Sequence, residues 1–166
     1  GMMLPPGEID GAGHLSFLYV MTRQVLFLAL LLLSSAYAFI KGDQPERIGA
    51  ATLLGGASLT VFVASPLGIR FRGVEAGILI IDLLILGIFL WLSIRSTRFW
   101  PIWIAGMLGA EVIIHVALMI APSVVPRAYM QALAVWSWFA QLGLIIATWR
   151  HQTRLTRLGA DAPWKN

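Results

Sequence analysis

Two long apolar stretches of this sequence are interrupted by ionisable residues whose spacing gives each pair a common helix face. Glu75 and Asp82 are seven residues apart, and Glu111 and His115 are four apart, so each pair returns to one side of an α-helix. Carboxylates and an imidazole placed in this way can share a proton or hold a small solute. Within a membrane span such groups are costly and rare, so they predict a functional site.

The depth of these side chains predicts which of them meet. If the two stretches are antiparallel helices, a rise of about 1.5 Å per residue puts Asp82 about 12 Å, His115 about 8 Å and Glu111 about 14 Å from the outer surface. These three residues should therefore form one site, with Glu75 nearer the surface. Polar residues of the other predicted helices fall at similar depth and extend the site into a polar layer: Ser34, Ser58, Thr60, Ser137 and Gln141.

The surroundings of this layer also contain candidate functional residues. Arg70 and Arg72 precede the acidic helix and are predicted to lie at an outer mouth, where they offset the acids or guide an anion. Trp136 and Trp138 lie in the middle of an apolar stretch rather than at a membrane interface. They are either packing residues, which is the favoured interpretation, or the wall of a ligand cavity.

The simplest alternative is that the polar groups only hold helices together, since interhelical hydrogen bonds contribute about 0.6 to 2 kcal/mol each in lipid. Glu75 is better explained as a partner of Arg72, whereas a functional role is favoured for Asp82, Glu111 and His115. These three side chains are of metal-binding types, but the two-histidine spacing of zinc hydrolases is missing from the sequence. No metal and no cofactor is predicted, and an enzyme is less favoured than a binding protein.

Composition places the apolar stretches in a membrane. The 166 residues are 58% hydrophobic and 12% charged, and the mean hydropathy is +0.81, far outside the usage of soluble domains. The sequence has no cysteine, which excludes disulfides, thiolate metal sites and a cysteine nucleophile. The net charge of +4 suits lipid headgroups, and no nucleic-acid partner is predicted because no basic run could follow a phosphate backbone.

Five stretches approach the length of about 20 mostly apolar residues that a transmembrane helix needs. The predicted fold is therefore all-α, a polytopic membrane protein built as an up-and-down bundle of five transmembrane helices with short loops. The predicted spans are 25–40, 48–66, 74–94, 100–120 and 129–149. Residues 1–24, rich in proline and glycine at their start, are predicted to be a partly disordered or interfacial tail, and 150–166 a polar cytoplasmic tail.

The distribution of basic residues predicts the orientation. With five spans, the positive-inside rule puts the N-terminus outside and the C-terminus in the cytoplasm, in a bacterial inner membrane. Four basic residues then face outward: Arg23, Arg70, Arg72 and Arg127. Eight face the cytoplasm: Lys41, Arg47, Arg95, Arg98, Arg150, Arg154, Arg157 and Lys165.

One alternative concerns the first span. Residues 21–38 have the basic start, apolar centre and Ala36-Tyr37-Ala38 end of a secretory signal peptide. Cleavage after Ala38 would leave four helices and reverse the orientation. The charge distribution favours an uncleaved first helix.

Two functions compete for this architecture. The favoured one is an outward-open cavity or half-channel that carries a proton or small solute to the acidic layer. The alternative is an accessory or scaffold subunit that docks a larger membrane protein or a second copy through faces of small residues. Those faces are 49–58 and, in the fourth span, Ala105, Gly106, Gly109 and Ala110.

Three short motifs lie at the predicted cytoplasmic ends of the spans. They are Tyr37-Ala38-Phe39-Ile40-Lys41-Gly42, Pro45-Glu46-Arg47-Ile48-Gly49-Ala50 and Arg98-Phe99-Trp100-Pro101. In these motifs the chain resembles small hydrophobic inner-membrane proteins of proteobacteria, a resemblance that implies a membrane bundle and no particular activity. Its size, span number and tryptophan content are also similar to those of the tryptophan-rich sensory proteins, without their Trp-Asn-Pro-Pro signature.

Overall fold

The computed structural model describes the backbone of residues 8–64, 72–120 and 127–165, and their side chains except those of 8–12, 16, 64, 72–75, 118–119 and 127–134. The described chain is all-helical, as predicted. Its five helices are α1 (Glu8–Lys41), α2 (Gln44–Ala64), α3 (Arg72–Arg95), α4 (Trp100–Ile120) and α5 (Arg127–Leu158).

Three of these helices are long and apolar enough to cross a membrane. The qualifying segments are Gly13–Lys41 of α1, Ala76–Arg95 of α3 and Trp100–Ala117 of α4. Their surfaces carry many exposed large apolar side chains, which a bilayer would cover. The spans predicted in α2 and α5 remain predictions.

Two helices extend well beyond the spans predicted for them. α1 begins at Glu8 and is 34 residues long, so at about 1.5 Å per residue it measures about 50 Å. α5 is 32 residues long and continues to Leu158, through residues predicted to form a polar tail. The extension of α5 is polar, so hydropathy gave no sign of it. The extension of α1 differs, because residues 13–24 belong to the segment that is apolar enough to cross a membrane.

The helices pack as consecutive hairpins, with α1 returning to contact α5. α3 and α4 form the most extensive pair, α2 packs on α3 and α1, and α5 packs on α4 and α1. The Phe27 and Trp138 rings meet edge to face with centroids 5.6 Å apart, and further along both helices Gln152 donates a hydrogen bond to the Lys41 carbonyl. Because the later residue of α1 contacts the later residue of α5, the two helices run parallel. This is the direction expected for the first and fifth helices of an up-and-down bundle.

The core lies towards the end of the bundle where α3 is connected to α4. Its buried apolar residues are Phe89, Leu92, Ile104, Ala105, Leu108 and Ala140. α1 contributes to a neighbouring cluster, in which Ala38 is fully buried with Ala50 and Leu144. The prediction that α1 is not cleaved after Ala38 stays a prediction.

The connection between α1 and α2 is a tight turn that depends on one glycine. A Cβ atom on Gly42 would lie 2.5 Å from the Ala38 carbonyl oxygen and 2.6 Å from the Cβ of Glu46. The Glu46 carboxylate then accepts a hydrogen bond from the Asp43 N–H at 3.2 Å, as in a helix capping box. The turn thereby fixes the position of Glu46 at the start of α2.

The C-terminal segment folds back across the loop between α3 and α4. Residues 160–165, which we call the C-terminal strap, follow Gly159, whose φ of 71° lies in the left-handed region. The Thr97 N–H donates to the Pro163 carbonyl at 3.1 Å, and the Lys165 N–H donates to the Arg95 carbonyl at 2.9 Å. The tail predicted from sequence is therefore a docked segment.

Candidate functional site

Three of the sequence-predicted site residues come together between α3 and α4. His115 Nε2 lies 3.3 Å from Asp82 Oδ2, and one ligand atom each of Asp82, Glu111 and His115 lies within 4.8 Å of the other two. Asp82 is 8% exposed, whereas Glu111 and His115 are half-buried. We call these three residues the acid–histidine cluster.

The register of the α3–α4 pair explains why these residues meet. Asp82 lies seven residues before the core residue Phe89, and His115 lies seven residues after the core residue Leu108. A separation of seven residues returns close to the same helix face. Packing of the core therefore turns both polar side chains into the interface between α3 and α4.

The acid–histidine cluster has more acidic than basic groups. It contains two carboxylates and one imidazole, and the imidazole is positive only when it is protonated. In addition, Asp82 Oδ2 is inaccessible to solvent and, apart from its ion-pair contact with His115, has no hydrogen-bond partner among the described residues. The surplus of carboxylates marks the cluster as a place where a positively charged species could be stabilised.

The remaining residues of the predicted polar layer lie in different surroundings. Ser34 and Gln141 are 0% and 1% exposed, so both are inside the bundle. Thr60 and Ser137 are half-buried. Ser58 lies on the exposed side of α2, where its hydroxyl donates to the Leu54 carbonyl at 2.9 Å.

The position of Ser58 has a simple geometric cause. Gly56, two residues earlier, faces α3, because an added Cβ would lie 2.3 Å from Cδ1 of Ile85. Two residues turn an α-helix by about 200°, so Ser58 points away from α3. The predicted depth of Ser58 along the helix therefore did not establish which way its side chain faces.

The two tryptophans predicted as packing residues or cavity wall take part in aromatic packing. Trp138 contacts Phe27 of α1 edge to face, and Trp136 lies 6.3 Å from Phe139 between ring centroids. The indole Nε1 of Trp136 is buried and has no hydrogen-bond partner among the described residues. These contacts agree with the favoured packing interpretation, particularly for Trp138.

The predicted outer mouth falls where the structure gives no side-chain detail. Arg70 lies outside the described residues. Arg72 and Glu75 belong to the first turn of α3, and their side chains are outside the described set. The roles predicted for these three residues therefore stay predictions.

A second charged site, which the sequence analysis did not identify, lies beyond the C-terminal end of α3. Arg98, only 3% exposed, is surrounded by groups from three distant parts of the chain. Its Nε lies 3.3 Å from Glu46 Oε1, and its guanidinium also pairs with Asp161 of the C-terminal strap and, at 3.7 Å, with Asp43. We call these residues, with His151 and Arg154 of α5, the Arg98 network.

Further hydrogen bonds complete the Arg98 network. Trp100 Nε1 donates to Glu46 Oε1 at 3.1 Å, so this fully buried carboxylate is held from two sides. Asp161 Oδ2 accepts from Arg154 Nε at 3.2 Å and lies 2.7 Å from His151 Nδ1. The network joins the loop between α1 and α2, the loop between α3 and α4, α5 and the strap.

The ionisation of Asp161 reflects this environment. Burial opposes the charged form, but hydrogen bonds from His151 and Arg98 and the positive charges of Arg98 and Arg154 outweigh it and hold the pKa of Asp161 below its ordinary value of 3.8. The carboxylate is therefore ionised at neutral pH and links the strap to the helices.

The sequence contained one sign of the Arg98 network. Glu46 and Arg98 both lie in the short motifs at the predicted cytoplasmic ends of the spans.

An apolar groove runs along the outer side of α2 and α3. Its volume is about 600 Å³, and Thr52 is the one polar residue among those that line it. Ala51, Gly55 and Gly56 form its floor on α2, and Leu84 and Ile88 border it on α3. Asp82 and His115 do not line this groove, so it is separate from the acid–histidine cluster.

The fold and these sites define an all-helical protein with several segments able to cross a membrane. No protein family, curated protein or solved structure matches the chain. Functional inference therefore rests on the geometry of its own side chains.

Proposed function

We propose that this chain is a five-span membrane protein that binds a proton or another small cation at the acid–histidine cluster, as a step in moving it into or across the bilayer. Three segments of sufficient length and apolarity support the membrane assignment. α2 and α5 pack lengthwise on these helices and are proposed to span with them. The favoured orientation keeps the N-terminus outside and the C-terminus in the cytoplasm of a bacterial inner membrane.

The single observation that carries this proposal is the contact of His115 Nε2 with Asp82 Oδ2 at 3.3 Å, with Glu111 beside them. Two acids and one histidine in helices that are otherwise strongly apolar are costly to bury. A purely structural contact between helices is achieved at lower cost by serine, threonine or small residues. The surplus of carboxylates favours a positively charged ligand.

Flux through reconstituted vesicles tests the proposal. Wild-type protein in liposomes containing a pH-sensitive dye should carry protons inward under an imposed membrane potential, and metal-sensitive dyes extend the assay to other cations. We expect Asp82→Asn and His115→Gln to lower the flux at least about tenfold, because each removes a group that holds the cation. His14→Gln, which changes an exposed histidine of α1, is the matched control.

Each variant must first be shown to fold, by circular dichroism and by a single peak in size-exclusion chromatography. Folded Asp82→Asn and His115→Gln proteins that carry every tested cation at the wild-type rate would remove the acid–histidine cluster from any transport path.

A second candidate function is supported by the apolar groove between α2 and α3. Small residues such as Ala51 and Gly55 allow close approach of another helix, and no Cβ added at Gly55 would meet a neighbouring atom. An accessory subunit would use this groove to dock a helix of a larger membrane protein or of a second copy. Native mass spectrometry from mild detergent should then show a complex that Gly55→Leu disrupts; a lone monomer would argue strongly against this function.

A further inference from the structure

We infer that Asp82, Glu111 and His115 form a binding site for a divalent first-row transition-metal cation, for which Zn²⁺ is the test ion. The inference rests on the proposed function, because it names the class of cation that the acid–histidine cluster takes. It is argued from donor geometry, donor chemistry, charge balance and the burial of the Asp82 carboxylate.

The donor spacing suits a metal ion. Histidine nitrogens and carboxylate oxygens bind Zn²⁺ at about 2.0–2.2 Å, so two donors on neighbouring corners of a tetrahedron lie about 3.3–3.6 Å apart. The separation of His115 Nε2 and Asp82 Oδ2 is 3.3 Å. Glu111 offers a carboxylate oxygen within 4.8 Å of a ligand atom of each of the other two residues, and binding at the third corner would require this oxygen to move closer through a change in its side-chain torsions.

The donor types favour a transition metal over magnesium or calcium. Imidazole is a preferred ligand of zinc, iron, nickel and copper, whereas magnesium and calcium take oxygen donors almost exclusively. Three protein donors also leave a fourth position open, as in zinc sites that exchange a ligand rather than in closed structural sites. An open position suits a cation that enters and leaves.

The charges of the acid–histidine cluster balance those of a divalent ion. Two ionised carboxylates and a neutral imidazole carry two negative charges, which a bound divalent cation cancels. A neutral assembly is much less costly in a low-dielectric environment than an uncompensated charge. A monovalent cation would leave one negative charge without compensation.

The burial of the Asp82 carboxylate also suits a bound cation. Asp82 is 8% exposed, and its Oδ2, which is inaccessible to solvent, has an ion-pair contact with His115 at 3.3 Å but no hydrogen bond among the described residues. A bound ion would give this oxygen a second partner. His115 keeps 23% of its side chain exposed.

Isothermal titration calorimetry of tag-free protein in detergent with zinc chloride tests this site. We expect one Zn²⁺ per chain. Loss of an outer-shell partner already lowers metal affinity about 10- to 100-fold, so replacing a direct ligand in Asp82→Asn, Glu111→Gln or His115→Gln should weaken binding at least that much. His14→Gln, which removes a histidine outside the cluster, should bind Zn²⁺ as the wild type does.

Two further readouts use only the wild-type protein. Co²⁺ bound to the wild-type protein should give the intense visible absorption of a four-coordinate site, which Zn²⁺ abolishes by displacement. Excess Mg²⁺ or Ca²⁺ should not displace Co²⁺, since neither prefers imidazole. Displacement by Mg²⁺ would overturn the transition-metal assignment.

The outcomes separate this inference from the proposed function. No Zn²⁺ binding, or binding equal in wild type and folded ligand variants, would overturn the metal site, and an Asp82-dependent proton flux would still leave the proposed function standing. Cluster-dependent Zn²⁺ binding without any cation flux would uphold the metal site and overturn the proposed transport.

Discussion

The acid–histidine cluster and the Arg98 network are built from similar side chains, the first near the middle of α3 and the second beyond its C-terminal end, but their charges are balanced differently. In the Arg98 network three acids face two arginines and a histidine, and the acids share hydrogen-bond donors. In the acid–histidine cluster two acids face one histidine. The first arrangement has as many basic as acidic groups, whereas the second has a surplus of carboxylates that a bound cation would balance.

This difference separates a structural role from a functional one. Arg98 joins two loops, α5 and the C-terminal strap, so its ion pairs hold together segments that are far apart in sequence. Asp82 and His115 join only α3 and α4, which the apolar core already holds in register. We therefore expect the stability of the fold to depend strongly on the Arg98 network and weakly on the acid–histidine cluster.

The largest effect is expected from Arg98→Ala. The substitution leaves the fully buried Glu46 carboxylate and the Asp161 carboxylate without their main cation, and breaking a buried ion pair in this way costs about 3–5 kcal/mol. Unfolding in mixed detergent micelles, followed by circular dichroism, measures the loss. Arg95→Ala is the control, because Arg95 is exposed and surface changes usually stay within about 0.5 kcal/mol. Equal losses in both variants would refute a special role for Arg98.

An intermediate effect is expected from Asp161→Asn, and it should depend on pH. Removing the charged acceptor of His151 and Arg154 should cost about 1.5–3 kcal/mol at neutral pH. Because the folded-state pKa of Asp161 lies below 3.8, the unfolded state binds the proton first as the pH falls. The wild-type advantage should therefore be complete well above pH 3.8 and be lost as the pH falls from 3.8 through the lower folded-state pKa.

Unfolding free energies of wild type and Asp161→Asn, measured over a series of pH values, test this dependence. Trp164 lies on the strap beside Trp91, so its fluorescence can report release of the strap in the same samples. A stability difference that persists unchanged far below pH 3.8 would show that the carboxylate charge does not hold the strap.

The smallest effect on stability is expected from Asp82→Asn. The amide has the same shape as the carboxylate and removes a buried charge at the cost of one ion pair, so the free energy of unfolding should change by less than about 1 kcal/mol. The same variant should lose cation binding. If Asp82→Asn destabilises the protein as much as Arg98→Ala, the acid–histidine cluster is a structural element, and the contrast between the two sites fails.

The two sites also differ in how far the sequence predicted them. The meeting of Asp82, Glu111 and His115 followed from the helical repeat, the rise per residue and the antiparallel arrangement of neighbouring helices. These rules are local and hold in any apolar hairpin. They failed for Ser58, because depth along α2 does not fix the direction of a side chain, which depends on the face that packs against α3.

The Arg98 network lay beyond such rules. Its residues come from two loops, the end of α5 and the strap, and Asp43 and Asp161 are separated by most of the chain. Their approach depends on the turn at Gly42 and on the return of the strap across the loop between α3 and α4. Neither feature has a hydropathy or periodicity signal.

The sequence by itself determined that the chain is helical and where its apolar segments lie. It also determined which three polar residues share a level between α3 and α4. These features follow from composition and helix periodicity, which act over short distances along the chain. Only the tertiary structure decided which side chains face inward, how far α1 and α5 extend and that Arg98 gathers the loops and the strap around it. Those outcomes depend on contacts between residues distant in sequence, and such contacts become available only once the helices have packed.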